Sequence, residues 1–327
     1  MLTFPAQLPD FETLLIGLKA VFDDTEQTDG EVTIVDRQTN AYTSTSPSEI
    51  VTCKFYDGRE SKLFCKYGFG YFVTTSRHQR GVPYELEVYR ELLQQAEAST
   101  PVFWGGFTDN RTGSTWLVTE YLERSTRLNE VTCSRSIVSA ASWIGRFHFA
   151  NKDLSLKVPM SFLNNYDAEY YSAWGRQFSI ISAHFGKQIQ WLSMLYERSV
   201  DFITPLLVAE PTIIHGEYYP NNVLIQNSQV IAIDWESAGI GAGEIDLAAL
   251  TQGEWPAEII RECELEYQRA RWPEGASDQF AQTLAAARLY FHFQLLFHWL
   301  EFQPERLARE TWLFERLYTS GERLGLL

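Results

Sequence analysis

The chain has 327 residues, of which 45% are hydrophobic and 14% aromatic, and its net charge is −15. That length buries a large core and suits either one two-lobed domain or two small ones. The acidic balance argues against nucleic acid as the partner, because binding to its backbone is driven by Lys and Arg neutralising phosphates; it weakly favours a cationic acceptor. Cys53, Cys65, Cys133 and Cys263 are scattered and form no Cys-x-x-Cys pair, which argues against a metal or disulfide framework. The start, Met1-Leu2-Thr3-Phe4-Pro5, has no basic stretch followed by an apolar core. No apolar run reaches the roughly 18 residues that suggest a membrane span. The expectation is a cytoplasmic protein without membrane insertion.

In chain order, Phe11, Leu14, Leu15, Leu18 and Phe22 mark one face of a helix that Pro9-Asp10 would start. From Val32 the pattern turns to short β-rich runs: Val32–Val35, Ile50–Tyr56, a turn at Asp57-Gly58, then Leu63–Tyr67. Pro83 to Gln95 reads as a helix, with Leu86, Tyr89, Leu92 and Leu93 on its buried face. Val102–Trp104 and Thr115–Thr119 enclose a turn-rich tip and complete a sheet of five strands. Beyond it the chain becomes helical: Ile137–Ala150, Tyr166–Ala183 and Gln188–Val208 each read as one helix. The last part, from Pro256, is helical too, and Leu284–Phe302 is rich in aromatics whose simplest role is core packing.

The most informative stretch is His215-Gly216-Glu217-Tyr218-Tyr219-Pro220-Asn221-Asn222, which lies between Ile213-Ile214 and Val223-Leu224-Ile225. Gln226–Gln229 then turns the chain into Val230–Ile233, so that Asp234 is expected near Asn222. The set suits phosphoryl transfer, which needs a carboxylate at the attacking hydroxyl and hard oxygen ligands for Mg²⁺ on the nucleotide phosphates.

His-x-acid-x-x-x-x-Asn, strand-turn-strand, then Asp resembles the catalytic and metal-binding segments of the protein-kinase-like superfamily. Ile-Asp-Trp-Glu in place of Asp-Phe-Gly, together with Asp246-Leu247-Ala248, looks like its aminoglycoside phosphotransferase and choline kinase branch. The resemblance implies an α+β, two-lobed protein-kinase-like fold. Its N-lobe, residues 1–121, would be a small antiparallel β-sheet with an N-terminal helix, and its C-lobe, residues 122–327, larger and mostly helical. It implies ATP and Mg²⁺ as cofactors and transfer of the γ-phosphoryl group to a hydroxyl of an aminoglycoside-, choline- or sugar-like small molecule. By the same resemblance, Asn222 and Asp234 are the metal ligands and Glu217 the catalytic base. His215 would support the loop from below, and Lys66 would neutralise phosphate charge.

Lys66 would pair with a helix glutamate, for which Glu85 is preferred over Glu87; Lys62 is an alternative lysine. Ser44, Thr45 and Ser46 occupy the place of the phosphate-covering loop, and the main chain of Glu120 and Leu122 that of the adenine hinge. Asp246 would cap or anchor the helix that follows it. The chain departs from the family at one position, where Glu217 stands for Asp. The added methylene moves the carboxylate by on the order of 1 Å, a displacement that can cost on the order of a hundredfold in rate. A nucleotide-binding pseudokinase with weak or no transfer is therefore the alternative function.

Overall fold

The structure, a computed structural model, describes residues 8–23, 32–42, 46–69, 80–96, 98–154, 161–172, 185, 189–307 and 312–327. The chain divides into two compact units, Met1–Thr126 with Leu224–Ser237, and Arg127–Val223 with Ala238–Leu327. The stretch carrying Asp234 thus groups with the N-terminal unit, whereas the sequence reading drew a single boundary at 121/122. Among the described residues, no helix is long and apolar enough to cross a membrane.

The first unit opens with helix α1 (Phe11–Asp23), whose Thr13 N–H is capped by Asp10 Oδ1 at 2.7 Å. Five antiparallel strands follow: β1 (Val32–Thr39), β2 (Ser48–Phe55), β3 (Glu60–Phe69), β4 (Phe103–Asp109) and β5 (Ser114–Glu120), in the order β1-β2-β3-β5-β4. Helix α1 buries Leu14, Leu18, Val21 and Phe22 with Val51, Cys53, Leu63, Cys65 and Trp116 of the sheet. Gly17 makes this close approach possible, since a Cβ there would lie 2.2 Å from the Trp116 ring.

All five strands run longer than their apolar patterns, and in two of them the local cause is plain. In β1 the polar half Asp36–Thr39 stays paired with β2 across a bulge between Ile34 and Asp36, and Arg37 ion-pairs with the buried Glu49 at 2.8 Å. In β4, Gly105 and Gly106 break the alternation that marks a strand in sequence.

Helix α2 (Val82–Glu87) does not run on to Gln95 as expected. It passes into a π-helical stretch, Val88–Leu93, that keeps Val88, Tyr89, Leu92 and Leu93 all buried. The strands Val223–Gln226 and Gln229–Ala232 form the expected hairpin, with Asn227 and Ser228 both at positive φ, 50° and 64°. The hairpin and the backbone just beyond it are fastened to other parts of the first unit. Ala232 N–H reaches Ser99 O at 3.2 Å, and Arg80 N–H reaches Glu236 O at 3.3 Å.

In the second unit, helix α3 (Ser134–Asn151) packs on a later helix at Gly145, where a Cβ would meet Tyr267 O at 2.8 Å. The described part of the expected helix from Tyr166 reaches residue 172, and the remainder lies outside the described residues. The expected single helix Gln188–Val208 is two, α4 (Gln190–Glu197) and α5 (Ser199–Val208). Arg198 leaves helical geometry between them, with its side chain on Asp201 and on Gly325 O. A short sheet joins Asn164–Asn165, Gly239–Ala242 and Pro211–Ile214. It leads into α6 (Glu244–Leu250), α7 (Ala257–Arg271), α8 (Phe280–Phe302) and α9 (Trp312–Arg323). The aromatics of α8 are mostly core: Tyr290, Phe291, Phe293, Phe297 and Trp299 are all buried.

The hairpin turn gives a direct test. An L-residue in the left-handed region costs about 1–2 kcal/mol that glycine avoids. Ser228→Gly is expected to stabilise the protein by roughly 1 kcal/mol, read as a higher urea midpoint with an unchanged slope. A lower midpoint would mean that the Ser228 side chain holds the turn in some other way.

Candidate active site

The candidate side chains fall into two sets, one in each unit. In the first, β3 pairs with β2 and β5 on either side and carries Lys66 opposite Ser48 and Leu117. The Lys66 ammonium lies 2.7 Å from Glu85 Oε2 of α2 and 2.6 Å from Asp234 Oδ1, with Glu236 Oε2 at 3.8 Å. Its side chain is only 10% exposed. Burial works against the charge, but Asp234, Glu85 and Glu236 outweigh it and hold the lysine well above its ordinary range. Burial pushes the Glu85 carboxyl up while Lys66 draws it back, and the other oxygen of Glu85 accepts the Trp235 N–H at 3.1 Å.

Asp234 sits at φ 67°, unusual for a residue with a side chain. The ion pair with Lys66 and the Trp235–Glu85 hydrogen bond fasten the chain on both sides of that strained bond. Glu236, read from the sequence only as part of the Ile-Asp-Trp-Glu signature, joins the same cluster. Its place two residues after Asp234 was the available signal. Glu85, Asp234 and Glu236 bring carboxylate oxygens within 4.8 Å of one another. Lys62 instead pairs with Glu123.

The second set is the loop between Pro211–Ile214 and Val223. Asp246, in the first turn of α6, accepts the His215 N–H on Oδ2 at 2.7 Å and the Gly216 N–H on Oδ1 at 2.9 Å. It therefore holds the loop rather than capping its own helix. Its Oδ2 also takes His148 Nε2 at 3.0 Å, and His148 Nδ1 faces Tyr267 OH at 3.0 Å. Burial lowers the pKa of His148 against the pull of Asp246, so the ring is neutral, donating from Nε2 and accepting at Nδ1.

His215 is fully buried, and its Nδ1 accepts the Glu217 N–H at 3.3 Å. Asn222 donates Nδ2 to Glu217 O at 3.0 Å, so its Oδ1 is the atom that could accept a cation. Glu217 is 6% exposed, and Tyr219 OH lies 3.4 Å from its Oε1. Asn222 belongs to the second unit and Asp234 to the first.

At the hinge, Glu120 N–H donates to Val102 O at 2.8 Å and Tyr121 N–H to Lys62 O at 3.0 Å. Leu122 O accepts from Ser125 N and Oγ at 3.2 and 2.8 Å. Its N–H has no acceptor among the described residues. Ser44 and Thr45 lie outside the described residues; Ser46 is half-buried just before β2. As donors for a metal, Glu85, Asp234 and Glu236 of the first unit offer carboxylate oxygens, the chemistry that Mg²⁺ takes, and Asn222 of the second unit offers an amide oxygen.

Comparison with known proteins places this geometry. A family model described as the phosphotransferase enzyme family matches residues 64–293, well over half of the chain. The chain belongs to that family. No curated protein sequence matches it. Among solved structures it is similar to the GDP complex of wild-type aminoglycoside 2'-phosphotransferase-IIIa, at 13% identity over 97% of this chain and 99% of that one, with TM-score 0.53. It is similar to choline kinase LicA from Streptococcus pneumoniae, at 15% identity over 90% and 94%, with TM-score 0.51. It is also similar to amicoumacin kinase hAmiN in complex with AMP-PNP, Ca2+ and Ami, at 13% identity over 97% and 93%, with TM-score 0.59. These likenesses establish the fold as α+β and protein-kinase-like, the class that the motif implied.

The helix that carries Asp246 also buries Glu244, whose carboxyl burial pushes up to about 7 from an ordinary 4.5. Because the folded value is the higher, this group's stabilising contribution is complete below about pH 4.5 and is lost as pH rises through about 7. Glu244→Gln should escape that loss. At pH 8 it is expected to gain on the order of 1–3 kcal/mol over wild type, and near pH 4 about nothing. Thermal melts across pH check this, and parallel curves for the two proteins would refute it.

Proposed function

We propose that the chain transfers the γ-phosphoryl group of ATP to a hydroxyl of a small-molecule acceptor. The observation that carries this reading is the buried Lys66–Glu85–Asp234 cluster, built within one unit by three sequence-distant segments of a phosphotransferase-family chain. In this reading the Lys66 ammonium binds nucleotide phosphate oxygens, held by Glu85. Leu122 N–H and the Glu120 carbonyl receive the base, while Ser46, with Ser44 and Thr45, covers the phosphates. Asp234 and Asn222 would hold Mg²⁺, which when bound neutralises charge on the phosphates.

Glu217 orients the acceptor hydroxyl and takes its proton as the new P–O bond forms and the bond to the β–γ bridging oxygen breaks, releasing ADP. His215 fixes the Glu217 backbone through Nδ1. The acceptor class includes aminoglycoside-, choline- and sugar-like alcohols, and the site of action is the cytoplasm. The second reading, a nucleotide-binding pseudokinase, is favoured by the glutamate at 217 alone.

An ADP-release screen over hydroxylated amines, sugars and antibiotics tests the proposal, with GTP run beside ATP. Turnover should fall by at least about a hundredfold in Asp234→Asn and Lys66→Met, and in Glu217→Gln with nucleotide affinity kept. Nucleotide binding without acceptor-dependent release selects the pseudokinase reading. Absence of nucleotide binding removes both.

A further inference from the structure

Glu217 is where this loop departs from the aspartate of the family pattern, and the structure gives it a partner. The Tyr219 hydroxyl donates to Glu217 Oε1 at 3.4 Å. Local geometry builds this contact. Tyr219 N–H bonds back to Glu217 O at 2.7 Å, a three-residue turn that brings the two side chains within reach. Asn222 N–H then closes on Tyr219 O at 2.8 Å, and the Tyr219 ring meets Phe291 of α8 edge-on at 5.7 Å. Burial, and then the charge on Glu217, push the Tyr219 phenol well above its ordinary range. It is therefore a proton donor at any working pH.

We propose that Tyr219 is a positioning residue for Glu217, its hydroxyl tethering the carboxylate and taking up the extra methylene that distinguishes glutamate from aspartate. The inference rests on the reading of Glu217 as the base. A glutamate carries one more rotatable bond than an aspartate, and a base that swings cannot hold a hydroxyl in line. A long hydrogen bond of this kind tightens when the reacting groups are assembled.

The experiment uses the full chain with MgATP and water as acceptor, compared across Tyr219→Phe, Glu217→Asp and the double variant. It is read by kcat and KM for ADP release and by the carboxyl resonance of Glu217 in ¹³C-glutamate-labelled protein at one fixed pH. Tyr219→Phe keeps the ring against Phe291 and removes only the hydroxyl. The expected result is a fall in kcat of about tenfold with KM for MgATP unchanged. The Glu217 carboxyl resonance should shift as its hydrogen bond is lost.

With Asp at 217 the shorter side chain no longer reaches the phenol, so adding Tyr219→Phe should change nothing further. A Glu217 carboxyl resonance that does not shift, or an equal loss in both backgrounds, overturns the proposal. If the wild-type protein releases no ADP, the phosphotransfer reading falls by itself. The Glu217 carboxyl resonance in Tyr219→Phe then decides alone whether the phenol holds the carboxylate.

Discussion

One ammonium shared among three carboxylates sets the architecture of the first unit. Taken out of water alone, Lys66 would lose several kcal/mol of hydration, and so would each acid around it. Placed together, the lysine offsets part of the repulsion among the acids, and removing Lys66 would leave buried carboxylates without a counter-charge, at a cost of about 3–5 kcal/mol. The segments that supply them are far apart in sequence: a central strand, the first turn of a helix, and the chain beyond a hairpin. The cluster thus fixes where α2 and residues 234–236 must lie against the sheet, and it makes the left-handed backbone at Asp234 tolerable.

The second unit has a counterpart in Asp246. Its carboxylate gathers two consecutive loop amides and one neutral imidazole, so the conformation of His215-Gly216 is dictated by a helix that begins some thirty residues later. His148, on α3, is the far end of the same chain of contacts, and Tyr267 on α7 completes it. The loop that presents Glu217 and Asn222 is accordingly clamped by three helices. Such clamping is what ångström-scale placement of side chains requires.

The sequence exposed these sites unevenly, and for physical reasons. Lys66, Glu85, Glu217, Asn222 and Asp234 stood out because each occupies a fixed place in a motif or beside a patterned element. Glu236 and Tyr219 did not, since their roles exist only once the chain has turned back on itself. The five-stranded sheet was legible from alternating apolar runs, yet Asp36–Thr39 was not, because its pairing depends on an ion pair with Glu49 rather than on hydrophobicity. Periodicity also hid the break at Arg198, where two helices share one apolar rhythm, and the shift to π-helical geometry after Glu87. Apolar spacing reports which face is buried but not which hydrogen-bond register buries it.

The discontinuity of the first unit has a consequence for synthesis. All five strands of its sheet have left the ribosome once residue 120 and the exit-tunnel length have been passed, but Asp234 follows Lys66 by 168 positions. At elongation speeds of about 5–20 residues per second, the nascent sheet waits on the order of ten seconds or more for its last acidic partner. Through that interval Lys66 has Glu85 alone for company, and the unit reaches its final electrostatic balance only after most of the second unit's N-terminal half has been made.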